Sequence, residues 1–520
     1  MNVSKPAFTR QALYLGGFVA LFIILGLGYS SLTPIFENSD ETLHYPYVKH
    51  IADGSGLPLA VPDQLWNQEG TQPPLYYAIV AVTTFWIDTD NLLDHLQRNP
   101  HWLFTDVRSV INDNQNLVLH GPMDTFPYRH TALAVHIGRW WSLLFGVITV
   151  ICTFYTGRHF FPTNLPLVIT ATALTALTPQ FLRVSATVSN DSLSAALTSL
   201  TVLVALKATR QTNQPASQPS NHPTSQLTLP LLIGVLSALA LLTKLSSLMA
   251  AVLAASIIVW RFLLEGRFNR SNLQRTFRWL FIIGATTIAL SGWWFYRNYT
   301  LYGEWLATET HLNLAGRGEL SLSEIWSLRR EIARAYWATF GWGQIRPPEW
   351  VFTLLNGFTQ IGTVGVLVAV VAKFAMGRNQ HPARIPPGLS NLPAPGSNAA
   401  SHTPSRTFTD RLQQLDLYVI LFLLFWLSMS LVLYARWVME VGSVSHTRLI
   451  FPSITAISLL LALGWHMFLP RRIAPMFSGV IAAGLIALNV YSLGWLLYPA
   501  FTPNQQAMTK ALPVNVTFLD

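Results

Sequence analysis

Directly after the first long apolar run, the stretch Pro34-Ile-Phe-Glu-Asn-Ser-Asp-Glu-Thr-Leu-His-Tyr-Pro-Tyr gathers carboxylates, a histidine and tyrosines. Asn38 followed by Glu41 has the form of a capping box, and Asp53-Gly54 is a stop signal. A short helix is therefore predicted from about Ser39 to Ala52. It would carry Asp40, His44 and Tyr47 on one face. A carboxylate there can act as general base on an acceptor hydroxyl, because nearby acids and partial burial raise its pKa usefully. Asp40 is the first choice for that role and Glu41 the second. His44 can orient the carboxylate or help to bind a metal. The plainer use of both acids is to favour the positive end of the helix.

Further candidates follow. Glu69-Gly-Thr-Gln-Pro-Pro-Leu-Tyr-Tyr leads into an apolar segment, 74–87, too short to span and better suited to an interfacial or re-entrant helix. Tyr76 would sit at headgroup depth there. Arg183, Lys244, Arg297, Arg346, Arg436 and Arg448 are cations at the ends of apolar runs, and arginine suits bidentate phosphate binding. Snorkelling to headgroups explains each one equally well singly. Lys244 falls between two closely spaced runs, where an unpaired charge is costly. Asp191 reads as an N-cap that can also pair with Arg183 or Lys244. Ser321-Leu-Ser-Glu324 is a second capping-box form, near Tyr336, Trp337, Trp342 and Trp350. Those aromatics fit a sugar-stacking wall or an interfacial belt.

The elements that must hold these residues are membrane spans. Of 520 residues, 51% are hydrophobic and only 11% charged, less than half the charge of a typical soluble domain. Apolar runs of about the spanning length recur from end to end. Eleven are placed near 11–33, 133–156, 165–181, 190–208, 229–245, 247–264, 279–296, 352–374, 415–435, 449–469 and 474–498. The fold class is thus an all-α polytopic membrane protein. With an inner N-terminus and an outer C-terminus, the inner segments hold seventeen Lys and Arg against Glu265, Asp410 and Asp416. That leaves sixteen of the 33 basic and twenty-one of the 24 acidic residues for the other side. The net charge of +9 is therefore topology rather than a nucleic-acid footprint. The stretches 211–226 and 379–406 are low-complexity and read as disordered linkers. A single cysteine, Cys152, leaves no internal disulfide and no cysteine-based metal site.

In this order, several short motifs resemble the membrane glycosyltransferases of the GT-C class, family 39-like, among them protein O-mannosyltransferases and bacterial aminoarabinose transferases. They are Asp40-Glu-x-x-His and Gln72-Pro-Pro-Leu-Tyr-Tyr; Gly138-Arg-Trp-Trp-Ser and Gly157-Arg-His-Phe-Phe-Pro; Thr178-Pro-Gln-Phe and Ser189-Asn-Asp; Leu242-Thr-Lys; Gly292-Trp-Trp-Phe-Tyr-Arg-Asn; and Thr447-Arg-Leu-Ile-Phe-Pro. The resemblance covers about residues 10–470. It implies a GT-C-type bundle of about eleven transmembrane helices with juxtamembrane helices in the first outer loop, in a bacterial plasma membrane.

By the same resemblance, residues 1–374 form the catalytic module with outer loops 34–132 and 297–351. A disordered cytoplasmic linker would cover 375–414, and 415–520 would hold the last helices and a short outer tail. The implied donor is a polyprenyl-phosphate sugar and the acceptor a lipid, protein or glycan hydroxyl. Asp40 and Glu41 would be catalytic, and His44, Glu69, Gln72, Tyr76, Lys244, Arg297 and Arg448 would bind substrate. A divalent metal serves parts of the class, but no metal-spacing motif occurs here. Relatives often carry Lys or His where this chain has Gln72, so another cation must meet the phosphate. The alternatives are a transporter of lipid-linked glycan or amphipathic solute, and a non-catalytic glycolipid-binding relative.

Overall fold

A computed structural model describes residues 5–99, 102, 116–212, 223–264, 268–379, 415–444 and 447–501. The described chain is helix and turn, with two isolated antiparallel bridges, Arg98 to Val118 and Phe340 to Ile345. In chain order the helices are α1 (Lys5–Leu32), α2 (Glu41–Ala52), α3 (Leu75–Thr84), α4 (His130–Phe160), α5 (Leu165–Leu177), α6 (Pro179–Ser185), α7 (Asp191–Thr212), α8 (Pro223–Leu241) and α9 (Leu248–Val259). They continue with α10 (Arg270–Tyr302), α11 (Thr308–Ala315), α12 (Leu322–Ser327), α13 (Arg329–Trp337), α14 (Glu349–Asn379), α15 (Leu417–Val441), α16 (Ile454–Phe468) and α17 (Ala474–Tyr491). One-turn and 3-10 segments fill several junctions.

Among the described residues, nine helices are long and apolar enough to cross a membrane, or ten if the bent pair α5–α6 is counted as one span. The protein is an integral multi-pass membrane protein. The run expected to span at 229–245 lies on α8, which is a shorter apolar helix, as is α3. Where a disordered linker is expected over 211–226, α7 continues to Thr212 and α8 begins at Pro223, while 213–222 lie outside the described residues. So does 380–414, most of the expected cytoplasmic linker.

The helices pack as membrane helices do, on small side chains and internally satisfied hydroxyls. A Cβ at Gly365 or Gly464 would run into the facing backbone, so only glycine lets α14 and α16 approach this closely. Buried threonines back-bond to carbonyls one turn earlier, as Thr153 does to Thr149 and Thr172 to Val168, or bridge helices, as Thr153 does to Thr455 at 2.7 Å. One apolar core joins Val168, Leu206, Leu253, Trp426 and Leu459. Helices before and after 375–414 therefore share it.

The breaks between helices prepare the site. Pro179 has no N–H to continue α5 and drives Thr178 into extended backbone (φ −66°, ψ 116°), so α6 turns away by 54°. The chain after α8 is extended at Lys244. Leu75 N–H donates to Leu242 O and Asn190 Nδ2 to Thr243 O, which fixes that junction against the first loop and the start of α7. Arg448 lies in the 3-10 turn Thr447–Ser453 that opens α16. These interruptions meet at one end of the bundle.

Candidate active site

The expected short helix exists as α2, but its cap is not the predicted box. Asp40 is the N-cap, in left-handed backbone (φ 64°), with no side-chain cap bond. Asn38 Oδ1 accepts from Arg183 Nη1 at 3.2 Å instead. Glu41 turns away from the helix start and is entirely buried. Its carboxylate accepts from Arg139 Nε and Nη2 at 2.8 and 2.6 Å, and from the N–H groups of Phe36 and Val188 at 2.9 Å each. Arg139 spends its remaining donors on the carbonyls of Ser30, Thr33 and Pro34. Phe36 is also left-handed, at φ 70°. Two such non-glycine residues in one tight loop are strained, and the Glu41–Arg139 pair holds them there. Glu41 is thus buried and held in an ion pair with Arg139.

Asp40 faces the other way. Its carboxylate meets Arg448 Nη2, and Arg448 Nη1 donates to Ser39 O at 3.0 Å. Arg448 Nε lies 3.3 Å from Asp191 Oδ2, and Lys244 Nζ is 2.6 Å from Asp191 Oδ1. Ser189 Oγ donates to the same Asp191 carboxylate at 2.9 Å. Carboxylates and cations alternate through this cluster, drawn from four separate helix breaks. Asp191 pairs with Lys244, as its sequence position allows, and not with Arg183.

Beside the cluster stand Glu69, His44 and Tyr77. Tyr77 O–H donates to Glu69 Oε2 at 3.3 Å, and His44 Nδ1 lies 2.8 Å from the Tyr77 oxygen and 3.4 Å from Glu69. The Tyr47 ring stacks on Tyr77 with centroids 3.9 Å apart and closes the floor. Burial, reinforced by the charge of Asp40, pushes Glu69 up to about 8 despite Lys244 and Arg448. Burial likewise pulls His44 down to about 3. Burial thus favours the protonated carboxyl of Glu69 and the neutral imidazole of His44. His311 of α11 reaches the edge of this group, its Nδ1 2.7 Å from Thr71 Oγ1.

Of the other sequence candidates, Gln72 Oε1 accepts from Asn190 Nδ2 at 3.2 Å at the margin of the cluster. Tyr76 is fully buried, bonded to Ser142 Oγ at 2.7 Å and accepting from Ser189 N–H at 3.1 Å. Arg297 donates to Pro58 O at 2.7 Å and lies over Trp294, clasping the 57–60 segment. Arg346 and Arg436 form half-exposed or exposed pairs with Glu331 and Glu440. The aromatic group divides. Trp337 is buried in a core, Trp350 is exposed, and Trp342 packs edge-on against Trp102.

The roles of Arg139 and Glu37 have no counterpart among the sequence candidates. An arginine inside an apolar span was the available signal for Arg139. Glu37 accepts from the N–H groups of Leu117 and Val118 at 2.8 and 3.1 Å, and lies 2.9 Å from His120 Nε2. His120 in turn contacts Asp124, which binds His95. Although burial opposes its charge, hydrogen bonds to Asp124 and Glu37 lift His120 to about 9. This chain ties 116–124 to the segment that carries Asp40. Among the described residues, no group of three His, Cys, Asp or Glu side chains is arranged to hold a metal ion. No step is therefore assigned to one.

No protein-family model and no curated protein matches the sequence. Solved structures do. The Archaeoglobus fulgidus oligosaccharyltransferase, solved with Zn and sulfate, aligns over 94% of this chain and 54% of its own, at 13% identity and a TM-score of 0.47. The S. cerevisiae protein O-mannosyltransferase Pmt1-Pmt2 complex bound to its sugar donor covers 58% of this chain and 34% of that one, at 15% identity and 0.38. ArnT from Cupriavidus metallidurans bound to undecaprenyl phosphate covers 88% and 78%, at 12% identity and 0.36. This chain spans about half the length of the first. At these identities and TM-scores the superpositions are similarities only, and they assign no activity or residue role to this chain.

Proposed function

We propose that this protein is a membrane glycosyltransferase that moves a sugar from a polyprenyl-phosphate donor to an acceptor hydroxyl at the non-cytoplasmic face. Asp40 serves as base, in a single displacement that inverts the anomeric centre. The acceptor oxygen bonds to the sugar's anomeric carbon as its proton passes to Asp40. The carbon–oxygen bond to phosphate breaks, and its electron pair leaves on the lipid phosphate. A phosphate leaving group needs little protonation, so the site needs one base and fixed positive charge.

The observation that supports this reading is the meeting of Asp40, Arg448, Asp191 and Lys244 at one end of an apolar bundle. A transporter would more naturally hold its ionisable groups near mid-membrane on broken helices. The test is an assay of the purified full chain with a polyprenyl-phosphate sugar, comparing wild type with Asp40→Asn. Removing a positioned base should lower transfer by about 10²–10⁴-fold. Undiminished transfer in Asp40→Asn removes Asp40 as base, and solute flux with no transfer by wild type replaces the enzyme reading with the transporter.

A further inference from the structure

The cations of the site are not equally committed. Arg448 is matched by Asp40 and Asp191, Lys244 by Asp191, and Arg139 by Glu41. Arg183, on the bent helix α6, is 5% exposed and forms no ion pair among the described residues. Its Nη1 donates over long distances to two neutral oxygens, Asn38 Oδ1 at 3.2 Å and Gly341 O at 3.3 Å. Its Nε is buried with no hydrogen-bond partner among the described residues. A buried guanidinium left in this condition is expensive unless something else meets it.

Its surroundings place it at the cluster. Arg448, Asp40, Glu41 and Asp191 all lie within electrostatic reach of Arg183. Gly341, left-handed at φ 60°, turns its carbonyl toward both Arg183 and the Ser39 hydroxyl, so the second loop as well as Asn38 contacts the arginine. Glu41 is already satisfied. The three cations Arg183, Lys244 and Arg448 thus face the two carboxylates Asp40 and Asp191, with Glu69 carrying its proton at neutral pH. The site holds one buried positive charge in excess.

We infer that Arg183 is the cation that holds the phosphate of the lipid donor. This rests on the transferase reading above. A sugar phosphodiester carries a single negative charge and would supply the missing partner. The charges also stay matched through the reaction. When the carbon–oxygen bond breaks, the lipid phosphate gains a second negative charge, and the proton arriving on Asp40 cancels that carboxylate and releases Arg448 to share the dianion. Gln72, which accepts from Asn190 Nδ2 through Oε1, is neutral and supplies no charge.

The test is binding of a polyprenyl phosphate, against the uncharged polyprenol of the same length, to the full chain in nanodiscs. Wild type should prefer the phosphate, and Arg183→Gln should lose roughly tenfold or more of that preference while polyprenol binding stays unchanged. Should Arg183→Gln fail to fold, Arg183→His supplies the same reading, with phosphate preference present at pH 5.5 and lost at pH 8. Wild type should keep it at both. An undiminished preference in Arg183→Gln, or one in Arg183→His that ignores pH, overturns the assignment and leaves the transferase reading standing. Wild type with no preference for phosphate and no sugar transfer defeats both.

Discussion

Glu41 and Arg139 form an ion pair in which neither side chain has any exposed surface, whereas Asp40 and Arg448, starting one residue away, keep 17% and 10% of theirs open. In the sealed pair every donor and acceptor is matched: two guanidinium contacts and two backbone N–H groups on the carboxylate, three carbonyls on the arginine. Such a carboxylate has no lone pair left for a substrate. In the open cluster three cations face two carboxylates, and Asp40 and Arg448 keep part of their surface exposed. On the proposed reading, the fully satisfied Glu41 positions and the partly exposed Asp40 reacts.

The largest effects should separate the two carboxylates. Asp40→Asn removes the base, a loss equivalent to about 3–5 kcal/mol of barrier, with little change in thermal stability. Glu41→Ala strands a buried guanidinium and should destabilise the fold by about 3–5 kcal/mol, measured by thermal or denaturant unfolding in detergent. Any loss of activity should then follow the loss of folded protein. A Glu41→Ala protein that unfolds like wild type yet transfers no sugar would break the contrast and make Glu41 the reactive group.

The same contrast explains what could be read from sequence. The apolar runs, the short helix after Pro34 and the second capping box at Ser321 and Glu324 are local. The helix and the box are present, and nine of the eleven expected spans are helices long and apolar enough to cross, with 165–181 bent and 229–245 shorter. The first capping box failed because Glu41 found two guanidinium donors and two backbone amides, against the single N–H a cap would offer. Its ionic partner lies 98 residues away. Arg448 is 408 residues from Asp40, and nothing in spacing or periodicity joins them. The Asp191–Lys244 pair was legible as an alternative because an acid and a cation at neighbouring span ends have few other partners. Arg297 looked equivalent to Arg448 and is not, since its partners are the carbonyls of an irregular segment that carries no pattern. Helix signals are local, and the site is assembled from helix interruptions.

Glu69 and His44 sharpen the comparison through pH. The folded chain holds the Glu69 proton up to about pH 8, whereas the ordinary carboxyl value is 4.5. Its contribution to stability is therefore fully present below about pH 4.5 and lost as pH rises through about 8. His44 works at the acid end. With its pKa lowered from 6.5 to about 3, it favours the fold above pH 6.5 and that contribution drains as pH falls toward 3. Glu69→Gln should flatten the decline in melting temperature between pH 4.5 and 8 and leave the acid limb unchanged. An unaltered alkaline slope would mean that Glu69 is already ionised, and the site would then lack the excess positive charge assigned to it.

The smallest effect belongs to a third kind of ion pair, on the surface of the second loop. Arg346 Nη1 lies 2.9 Å from Glu331 Oε2, and Glu331 also meets Arg334, which reaches Glu349 at 2.7 Å. Here water screens the charges, and Arg334 and Glu349 remain to hold the loop if one member is removed. Arg346→Ala should therefore change stability by no more than about 1 kcal/mol and become undetectable at high salt. Geometry does not set this pair apart from Glu41 and Arg139, because the distances are comparable. What differs is access to solvent. If Arg346→Ala were as damaging as Glu41→Ala, exposure could not be what separates scaffold from reactive charge, and the assignment of Asp40 would lose its physical basis.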